Sequence, residues 1–481
     1  MKLINPLVIL RVLATILLID STSFLTCLPV AVLYREPLLP FLWSSVITGF
    51  CYSVFRFLGR NAKTKEASNR DTFLIVSLAW LLFLLFGSLP YLISKTIPSF
   101  VNAFFESVSG YSTTGASILT DVENLPYSIL FYRSFTHWIG GIGIIVLVIL
   151  VLPSLKVTGY QLFSLESSMK EKIHPKAKGV AFRILLIYCT LTILNTGMLA
   201  IGDMDLFDSI CHAFGTVATG GFSIRNTSLM SYSRYSQYIV MIFMFLAGIS
   251  QVVYYYLVKF HFRKIKYNDE FWFYLAIIII AGALAVSVLF VKTAKPFEEA
   301  FREGYFNVIS IITCTGFANA DFNLWPSAGV TLIFLLMFSG GSTGSTSGGI
   351  KMARHLIVLK NIKTALTRLI HPRSVSPVFL NRKILDQQTS ISVISFIILY
   401  IFLFIVGTTT LAACGSDAVT SASSAAACLA NIGPGLCSVG PMGNYAGLSE
   451  ISKLILSFLM IIGRLEIIPV FVIFGRSFWR L

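Results

Sequence analysis

The chain has 481 residues, of which 56% are hydrophobic and only 12% are charged, and its formal net charge is +15. Soluble proteins average roughly 45–50% apolar and about 25% charged residues, so this composition excludes an ordinary water-soluble protein. The positive charge does not indicate nucleic acid as a partner, because the basic residues lie in short loops between apolar runs, where Lys and Arg set membrane topology.

Apolar runs recur along the whole chain, and about 20 such residues in a helix cross the ~30 Å hydrocarbon layer of a membrane. The first run contains Arg11 and Asp20 and lacks a clear small-residue cleavage site, which predicts a retained helix rather than a signal peptide. The sequence therefore predicts an all-α polytopic membrane protein. The runs lie at 6–30, 40–57, 72–94, 127–152, 180–201, 237–258, 271–292, 327–339, 390–413 and 452–475.

Four loops are rich in Lys and Arg, and the positive-inside rule predicts that all four face the cytoplasm. An even number of crossings must then separate consecutive loops, and two long runs fit in each interval. The loops contain Arg60, Lys63, Lys65 and Arg70; Lys156, Lys170, Lys172, Lys176 and Lys178; Lys259, Arg263, Lys264 and Lys266; and the stretch from Lys351 to Lys383.

Between the two runs of each interval lies a shorter apolar segment that ends in a cluster of small residues. Such a segment is too short to span, so we expect a half-helix that enters from the outside and returns as extended chain, which membranes tolerate only where protein or water surrounds it. The segments recur at intervals of about 100 residues, as internal repeats do. They are 99–117, 204–223, 296–318 and 416–435.

The predicted organisation is therefore four pseudo-symmetric repeats of helix, pore loop and helix around one central pore, preceded by an N-terminal two-helix hairpin. The predicted units are the hairpin at 1–58 and the repeats at 71–153, 178–260, 271–360 and 387–481.

Each cluster contains a glycine, which permits backbone conformations that are closed to other residues. One such cluster could serve helix packing alone, whereas four in equivalent places predict a ring of backbone carbonyls that replaces the water around an ion. Half-helices that point their C-terminal ends at the axis favour a cation. The predicted filter residues are Thr113, Thr114, Gly115, Ala218, Thr219, Gly220, Cys314, Thr315, Gly316, Asn431, Ile432 and Gly433.

Acidic residues stand near the starts of the half-helices, where they could attract cations or could cap helix N-termini. Capping is the commoner role, so none was assigned to the predicted site. They are Asp203, Asp205, Glu298, Glu299 and Asp417.

A glycine-rich stretch interrupts the last part of the third repeat. It does not satisfy the phosphate-loop pattern, because Ile350 separates Gly349 from Lys351 and no strand precedes it. Each glycine costs a helix roughly 1 kcal/mol, so residues 340–350 are predicted to unwind. A passive cytoplasmic linker is the alternative interpretation. The glycines are Gly340, Gly341, Gly344, Gly348 and Gly349.

Arg464 lies within the last apolar run. A charge there costs about 2.5–3.5 kcal/mol unless it meets water or a partner. Three interpretations remain open: the side chain faces the pore, reaches the cytoplasmic interface, or pairs with a neighbour such as Glu466.

The chain resembles the Trk/Ktr/HKT superfamily of potassium transport proteins, and within it the TrkH family of bacterial Trk-type uptake subunits. The resemblance covers essentially the whole length. It is carried by the four filter segments, the glycine-rich stretch, the residues 463–466 (GRLE) and the residues 133–143 (RSFTHWIGGIG), in which His137 stands where many relatives would have Gln.

The resemblance implies a potassium ion bound at the filter, because a glycine such as Gly115 accompanies potassium selectivity in this superfamily. It also implies that the glycine-rich stretch is an intramembrane gating loop below the filter, and that Arg464 is an electrostatic barrier in the ion path. It further implies a homodimer in the bacterial inner membrane, with peripheral cytoplasmic nucleotide-binding TrkA-type subunits. No organic cofactor is expected in the chain itself.

Two other functions were weighed. A proton- or sodium-coupled potassium symporter would have the same filter, so the sequence does not separate it from a gated conducting protein. A membrane enzyme is disfavoured because no HExxH motif, paired-Asp metal cluster or Ser/His/Asp set is found on the loops.

Overall fold

The structure is a computed structural model that describes residues 4–62, 68–146, 177–374 and 377–480. Within these ranges six helices are long and apolar enough to cross a membrane, and eight if each of two bent helix pairs counts as one span. The predicted all-α polytopic fold is confirmed. The basic residues Lys63, Lys65, Lys156, Lys170, Lys172 and Lys176 and the ends of two predicted segments, 127–152 and 71–153, lie outside the described residues.

The N-terminal unit consists of the helices Pro6–Leu25, Leu28–Leu33 and Leu39–Leu58. Its two long helices pack against each other, and the Ser21 hydroxyl donates to the Ser45 carbonyl across their interface at 2.9 Å. Small residues of this kind allow helices to approach closely in a membrane.

The hairpin is also attached to the first repeat through a buried carboxyl group. Asp20 is fully buried, and its Oδ1 accepts a hydrogen bond from the Tyr111 hydroxyl at 2.9 Å. Tyr111 is the last residue of the first half-helix. The hairpin therefore supports the pore region from outside the four repeats.

Each repeat contains a long apolar helix, a short half-helix that we call a pore helix, and a second helix that returns. Pore helices 1 to 4 are Phe100–Tyr111, Leu206–Val217, Phe297–Ile312 and Ala418–Leu429. The long first helices are Asn69–Phe86 with its extension Leu89–Ile93, Ala177–Ile201, Asp269–Thr293 and Gln387–Ala413.

The second helices differ most between the repeats, because within the described residues three of them are interrupted. They are Tyr127–Val146; Arg234–Ala247 with Gln251–Val258; Ser327–Leu336 with Met352–Ile370; and Glu450–Arg464 with Ile468–Phe474 and Arg476–Trp479. The breaks bend the chain by 95° after Ala247 and by 112° after Arg464. The apolar run at 327–339 is thus a short helix that stops within the protein.

A short antiparallel hairpin departs from the all-helical pattern and pairs Phe379–Leu380 with Lys383–Ile384. Its turn residues, Asn381 and Arg382, both have positive φ, as a two-residue type I′ turn requires. The backbone N–H of Asn381 donates to the Asp269 carboxylate at 3.2 Å, which places the hairpin beside the start of the long helix Asp269–Thr293. A helical hydrophobicity pattern contains no signal for so short a strand pair.

The acidic residues near the pore helices act as helix caps, as ion-pair partners or as acceptors of other hydrogen bonds. The carboxylates of Asp205 and Asp417 accept the backbone N–H groups of Asp208 and Thr420, which caps pore helices 2 and 4. The capping interpretation holds for these two. The other three have their own donors: Asp203 accepts from Ser233, Glu298 from Arg302, and Glu299 pairs with Lys295.

Candidate ion-conduction site

The four pore helices end in the same backbone conformation. In each, one residue with right-handed helical φ and ψ is followed by a residue with φ between 53° and 55°. The N–H after that residue donates to a carbonyl five positions earlier, which is a common way to end a helix. The positive-φ residues are Thr113, Thr219, Cys314 and Asn431, and the bonds are Thr114 to Ser109, Gly220 to Gly215, Thr315 to Ser310 and Ile432 to Ala427, at 2.8–2.9 Å.

A glycine with positive φ follows two residues later in every repeat. These glycines are Gly115, Gly221, Gly316 and Gly433, with φ of 81°, 80°, 82° and 98°. Because side chains strongly disfavour this conformation, the glycines define which residues are equivalent.

The predicted alignment of the second repeat is therefore one residue early. The residues equivalent to Thr113-Thr114-Gly115 are Thr219-Gly220-Gly221, and Ala218 has right-handed φ and ψ at the end of pore helix 2. Two adjacent glycines look alike in the sequence, and only the backbone shows which one needs positive φ.

The four filter glycines form a closed ring of contacts. A Cβ atom on Gly115 would overlap the carbonyl oxygen of Gly220, one on Gly221 that of Thr315, one on Gly316 that of Ile432, and one on Gly433 that of Thr114. The last contact joins the fourth repeat to the first. All four glycines line one cavity of about 150 Å³ on the side where the filter chain leaves the pore helices.

Side chains that differ between the repeats turn away from this ring. Asn431 donates from Nδ2 to the Thr114 hydroxyl and to the Met460 carbonyl, both at 3.0 Å. The Cys314 thiol lies 3.7 Å from the Ser339 carbonyl. The uneven chemistry of the four triplets therefore leaves the carbonyl ring unchanged.

A buried ion pair holds the first two filter segments together. Arg133 Nε lies 2.7 Å from Glu106 Oε1, and Arg133 Nη1 donates to the Ser223 carbonyl at 2.8 Å. Glu106 also accepts the Ile118 N–H at 2.9 Å. Glu106 is not among the residues predicted from the sequence, although a carboxylate inside a short apolar half-helix is itself a signal of function.

His137 makes a second bridge between the same segments. Its Nδ1 lies 2.7 Å from the Gly110 carbonyl, and its Nε2 accepts the Phe222 N–H at 3.1 Å. Accepting at Nε2 and donating at Nδ1 describes a neutral imidazole. His137 thus fixes pore helix 1 to the chain that follows Gly221.

The glycine-rich segment 340–350 is buried or half-buried and lies directly beneath the pore helices. The Thr346 hydroxyl donates to the Val217 carbonyl at 3.2 Å, and a Cβ on Gly348 would overlap the Ala430 carbonyl oxygen. The segment therefore packs against the pore helices and is not a solvated loop. All five predicted glycines belong to this non-helical segment: Gly340, Gly341, Gly344, Gly348 and Gly349.

Two anchors hold the segment from the side. The Ser342 N–H donates to the Gly248 carbonyl at 2.9 Å, at the break between two helices of the second repeat. Glu270 Oε1 accepts the N–H groups of Thr343 and Ala353 at 2.6 and 3.0 Å. The segment is thus attached at a few points rather than along a continuous helix.

Arg464 is 1% exposed and contacts the same segment. Its Nη1 donates to the Thr346 carbonyl at 2.7 Å and its Nη2 to the Gly140 carbonyl at 3.1 Å. Within the described ranges Arg464 has no ion pair, whereas Glu466 pairs with Arg354 at 2.6 Å. The alternatives of an Arg464–Glu466 salt bridge and of a side chain that reaches the interface are therefore wrong.

The Arg354–Glu466 pair yields a stability prediction. Glu466→Gln should destabilise the folded protein by about 3–5 kcal/mol, because Arg354, 2% exposed, would lose its partner. Thermal unfolding of the purified protein in detergent measures the loss. Glu450→Gln, at the exposed start of the helix Glu450–Arg464 that precedes Glu466, is the matched control, and an equal melting temperature for both variants would contradict the prediction.

The four pore helices end at one ring of carbonyls within a bundle of membrane-spanning helices. This arrangement is that of a transport protein built around a central pore, rather than that of an enzyme. Residues 42–480 match the TrkH family of cation transport proteins. The chain therefore belongs to the TrkH family, and it is a multi-pass protein of the inner membrane.

Relatives and solved structures agree with this assignment over nearly the whole chain. The chain is 33% identical to the Trk system potassium uptake protein TrkH of Halomonas elongata, covering 98% of this chain and 99% of that protein. It is 35% identical to TrkH of Escherichia coli K12, with coverages of 87% and 88%. The crystal structure of the potassium transporter TrkH from Vibrio parahaemolyticus superposes with a TM-score of 0.91 at 31% identity, covering 99% of this chain and 100% of that one.

Proposed function

We propose that this chain takes up potassium ions through the ring formed by its four filter segments. The observation that carries the proposal is the closure of that ring, in which each filter glycine contacts a carbonyl of the next repeat and the fourth contacts the first. The names of the relatives, Trk system potassium uptake proteins, supply the identity of the ion.

The geometry suits a dehydrated monovalent cation. Backbone carbonyls replace the water shell of potassium in selectivity filters, and the C-terminal ends of four pore helices each add about half a negative charge near the axis. The proposed potassium-binding residues are Thr113, Thr114, Gly115, Thr219, Gly220, Gly221, Cys314, Thr315, Gly316, Asn431, Ile432 and Gly433.

Segment 340–350 is the proposed gate. Its contacts with Val217 and Ala430, at the C-terminal ends of pore helices 2 and 4, support this role, because an ion that leaves the proposed filter would meet the segment first. Arg464 both binds this segment and contributes a positive charge that opposes cations.

A deletion tests the gate. Removing residues 343–346 should increase potassium flux several-fold in the absence of any partner, because the deletion also removes the Thr346 contacts that hold the segment below the filter. The measurement is potassium efflux from liposomes that contain equal amounts of folded protein. Equal flux from the deletion variant and the parent would sink the gating role.

The partners are proposed from the resemblance to the Trk systems that the relatives' names mention. We propose a homodimer in the lipid bilayer, regulated by peripheral cytoplasmic nucleotide-binding TrkA-type subunits. Such subunits would act on the gate from the cytoplasmic side, where the basic loops lie.

Flux into liposomes tests the proposed transport directly. Potassium entry that needs no proton gradient, with sodium entry much slower, is the expected result for a gated conducting protein. Entry that stops when the proton gradient is collapsed would instead assign a symporter, and equal rates for potassium and sodium would overturn the proposed selectivity.

A further inference from the structure

A second cavity shares no lining residue with the cavity at the filter glycines, and its lining is basic and aromatic. It has a volume of about 600 Å³ and forms where residues 256–268 meet the turn of the short β-hairpin. Both segments belong to loops that the positive-inside rule assigns to the cytoplasm. Five of its lining residues are His261, Arg263, Lys264, Arg382 and Lys383.

The described lining of this cavity contains four cationic side chains and no carboxylate. The two nearest acidic residues along the chain already have partners. Asp269 accepts from Lys360 at 2.5 Å and from the backbone N–H of Asn381 at the rim of the cavity, and Glu270 is buried against segment 340–350. The described lining therefore gives the cavity a positive potential.

Tyr267 shows the effect of that potential. The Arg382 guanidinium lies 3.4 Å from the centre of the Tyr267 ring. A hydrogen bond from Arg263 and the nearby charge of Arg382 lower the pKa of the Tyr267 hydroxyl below its usual range. Two arginines on different loops thus converge on one point, which is the arrangement that binds a phosphate group well.

Apolar side chains continue directly from the basic cavity. Phe260 and Phe262 are 78% and 59% exposed, and Leu257 and Val258 at the end of the preceding helix are also exposed. The long apolar helix Asp269–Thr293 begins just beyond Asn268. This level is therefore the membrane interface, where aromatic residues concentrate.

We propose that this cavity binds the phosphate headgroup of an anionic phospholipid from the cytoplasmic leaflet, with its acyl chains against the exposed apolar residues. A basic pocket between helices on the cytoplasmic side has the chemistry that such headgroups need. A free phosphate or an acidic protein segment would use the charges and leave the exposed aromatic and aliphatic side chains without a role. The proposal concerns binding alone and does not depend on the transport mechanism.

The test compares phosphatidylglycerol with phosphatidylcholine on the full-length protein in detergent. Native mass spectrometry counts the lipids that remain bound, and thermal unfolding reports the stabilisation. Parental protein should retain phosphatidylglycerol in preference to phosphatidylcholine. The double variant Arg263→Gln/Arg382→Gln should bind phosphatidylglycerol about tenfold or more weakly, because it loses both converging charges.

The matched control removes two charges at the other membrane face. Lys95→Gln/Lys292→Gln changes two exposed lysines outside the cavity and should leave phosphatidylglycerol binding unchanged. Arg263→Lys/Arg382→Lys keeps the charge and should restore most of the binding. A merely misfolded double glutamine variant would also elute abnormally in size exclusion and would not respond to this charge rescue.

Three outcomes would overturn the proposal. The first is undiminished phosphatidylglycerol binding in the folded double glutamine variant. The second is inorganic phosphate binding that depends on Arg263 and Arg382 without any preference for phosphatidylglycerol, which would assign a soluble anion. The third is binding of a polyglutamate peptide but not of phosphatidylglycerol, which would assign an acidic protein partner.

Discussion

Gly221→Ala should lower the permeability ratio of potassium over sodium by at least about tenfold. The added methyl group would occupy the place of the Thr315 carbonyl oxygen, and Ala would have to adopt a φ near 80°. The conformation costs roughly 1–2 kcal/mol, so the backbone should shift and displace the carbonyl ring. A resulting difference of about 1.4 kcal/mol between the two ions corresponds to a factor of ten in the ratio. Reversal potentials, or paired potassium and sodium fluxes into liposomes, measure the ratio.

Ala218→Gly is the control that distinguishes two alignments of the second repeat. The sequence predicts residues 218–220 as the filter triplet, whereas the backbone geometry indicates residues 219–221. Ala218 has right-handed backbone geometry, so Gly there should change selectivity little. Gly115→Ser, at the equivalent position of the first repeat, should lower the ratio as Gly221→Ala does. An unchanged ratio in folded Gly221→Ala and Gly115→Ser proteins would refute a filter at these residues.

Arg464→Ala should increase potassium flux per folded molecule by about tenfold. A unit positive charge ~10 Å from a passing cation contributes about 1.7 kcal/mol at an effective dielectric constant near 20. The substitution also removes the hydrogen bond that holds the Thr346 carbonyl of segment 340–350. Both effects act in the same direction. The measurement is potassium uptake into liposomes, normalised to protein that elutes as a single species.

Arg464→Lys separates the two contributions. Lys keeps the charge but lacks the planar pair of donors that reaches both Thr346 and Gly140. Flux like the parent in Arg464→Lys assigns the effect to charge, whereas flux like Arg464→Ala assigns it to release of the segment. If Arg464→Ala is poorly folded but has parental flux per molecule, Arg464 is a structural residue and neither role holds.

The sequence was sufficient for the fold class because its signals are local. Long apolar runs identify spans, short apolar segments ending at glycine identify pore helices, and a run of glycines cannot form a stable helix. A lone charge such as Arg464 in an apolar run also predicts that its side chain meets water or a partner. Each of these inferences needs only the residues of one segment.

The remaining features depend on contacts between distant segments. Glu106 meets Arg133, Asp20 meets Tyr111, and Glu466 pairs with Arg354 rather than with its neighbour in the sequence. No hydrophobic periodicity specifies such pairs. The alignment of the second repeat failed for a related reason, since the need for glycine at Gly221 comes from the Thr315 carbonyl of another repeat.

The closed ring of glycine and carbonyl contacts also determines how many of the four contacts a single substitution in the proposed filter changes. In a homotetrameric channel every substitution is present four times, because identical subunits surround the axis. Here the four contacts join four different residue pairs, so a substitution alters one quarter of the ring and leaves three parental quarters. Each repeat of such a filter can therefore change separately during evolution. Cys314 and Ile432 are examples, because four identical subunits would have the same residue at all four equivalent positions.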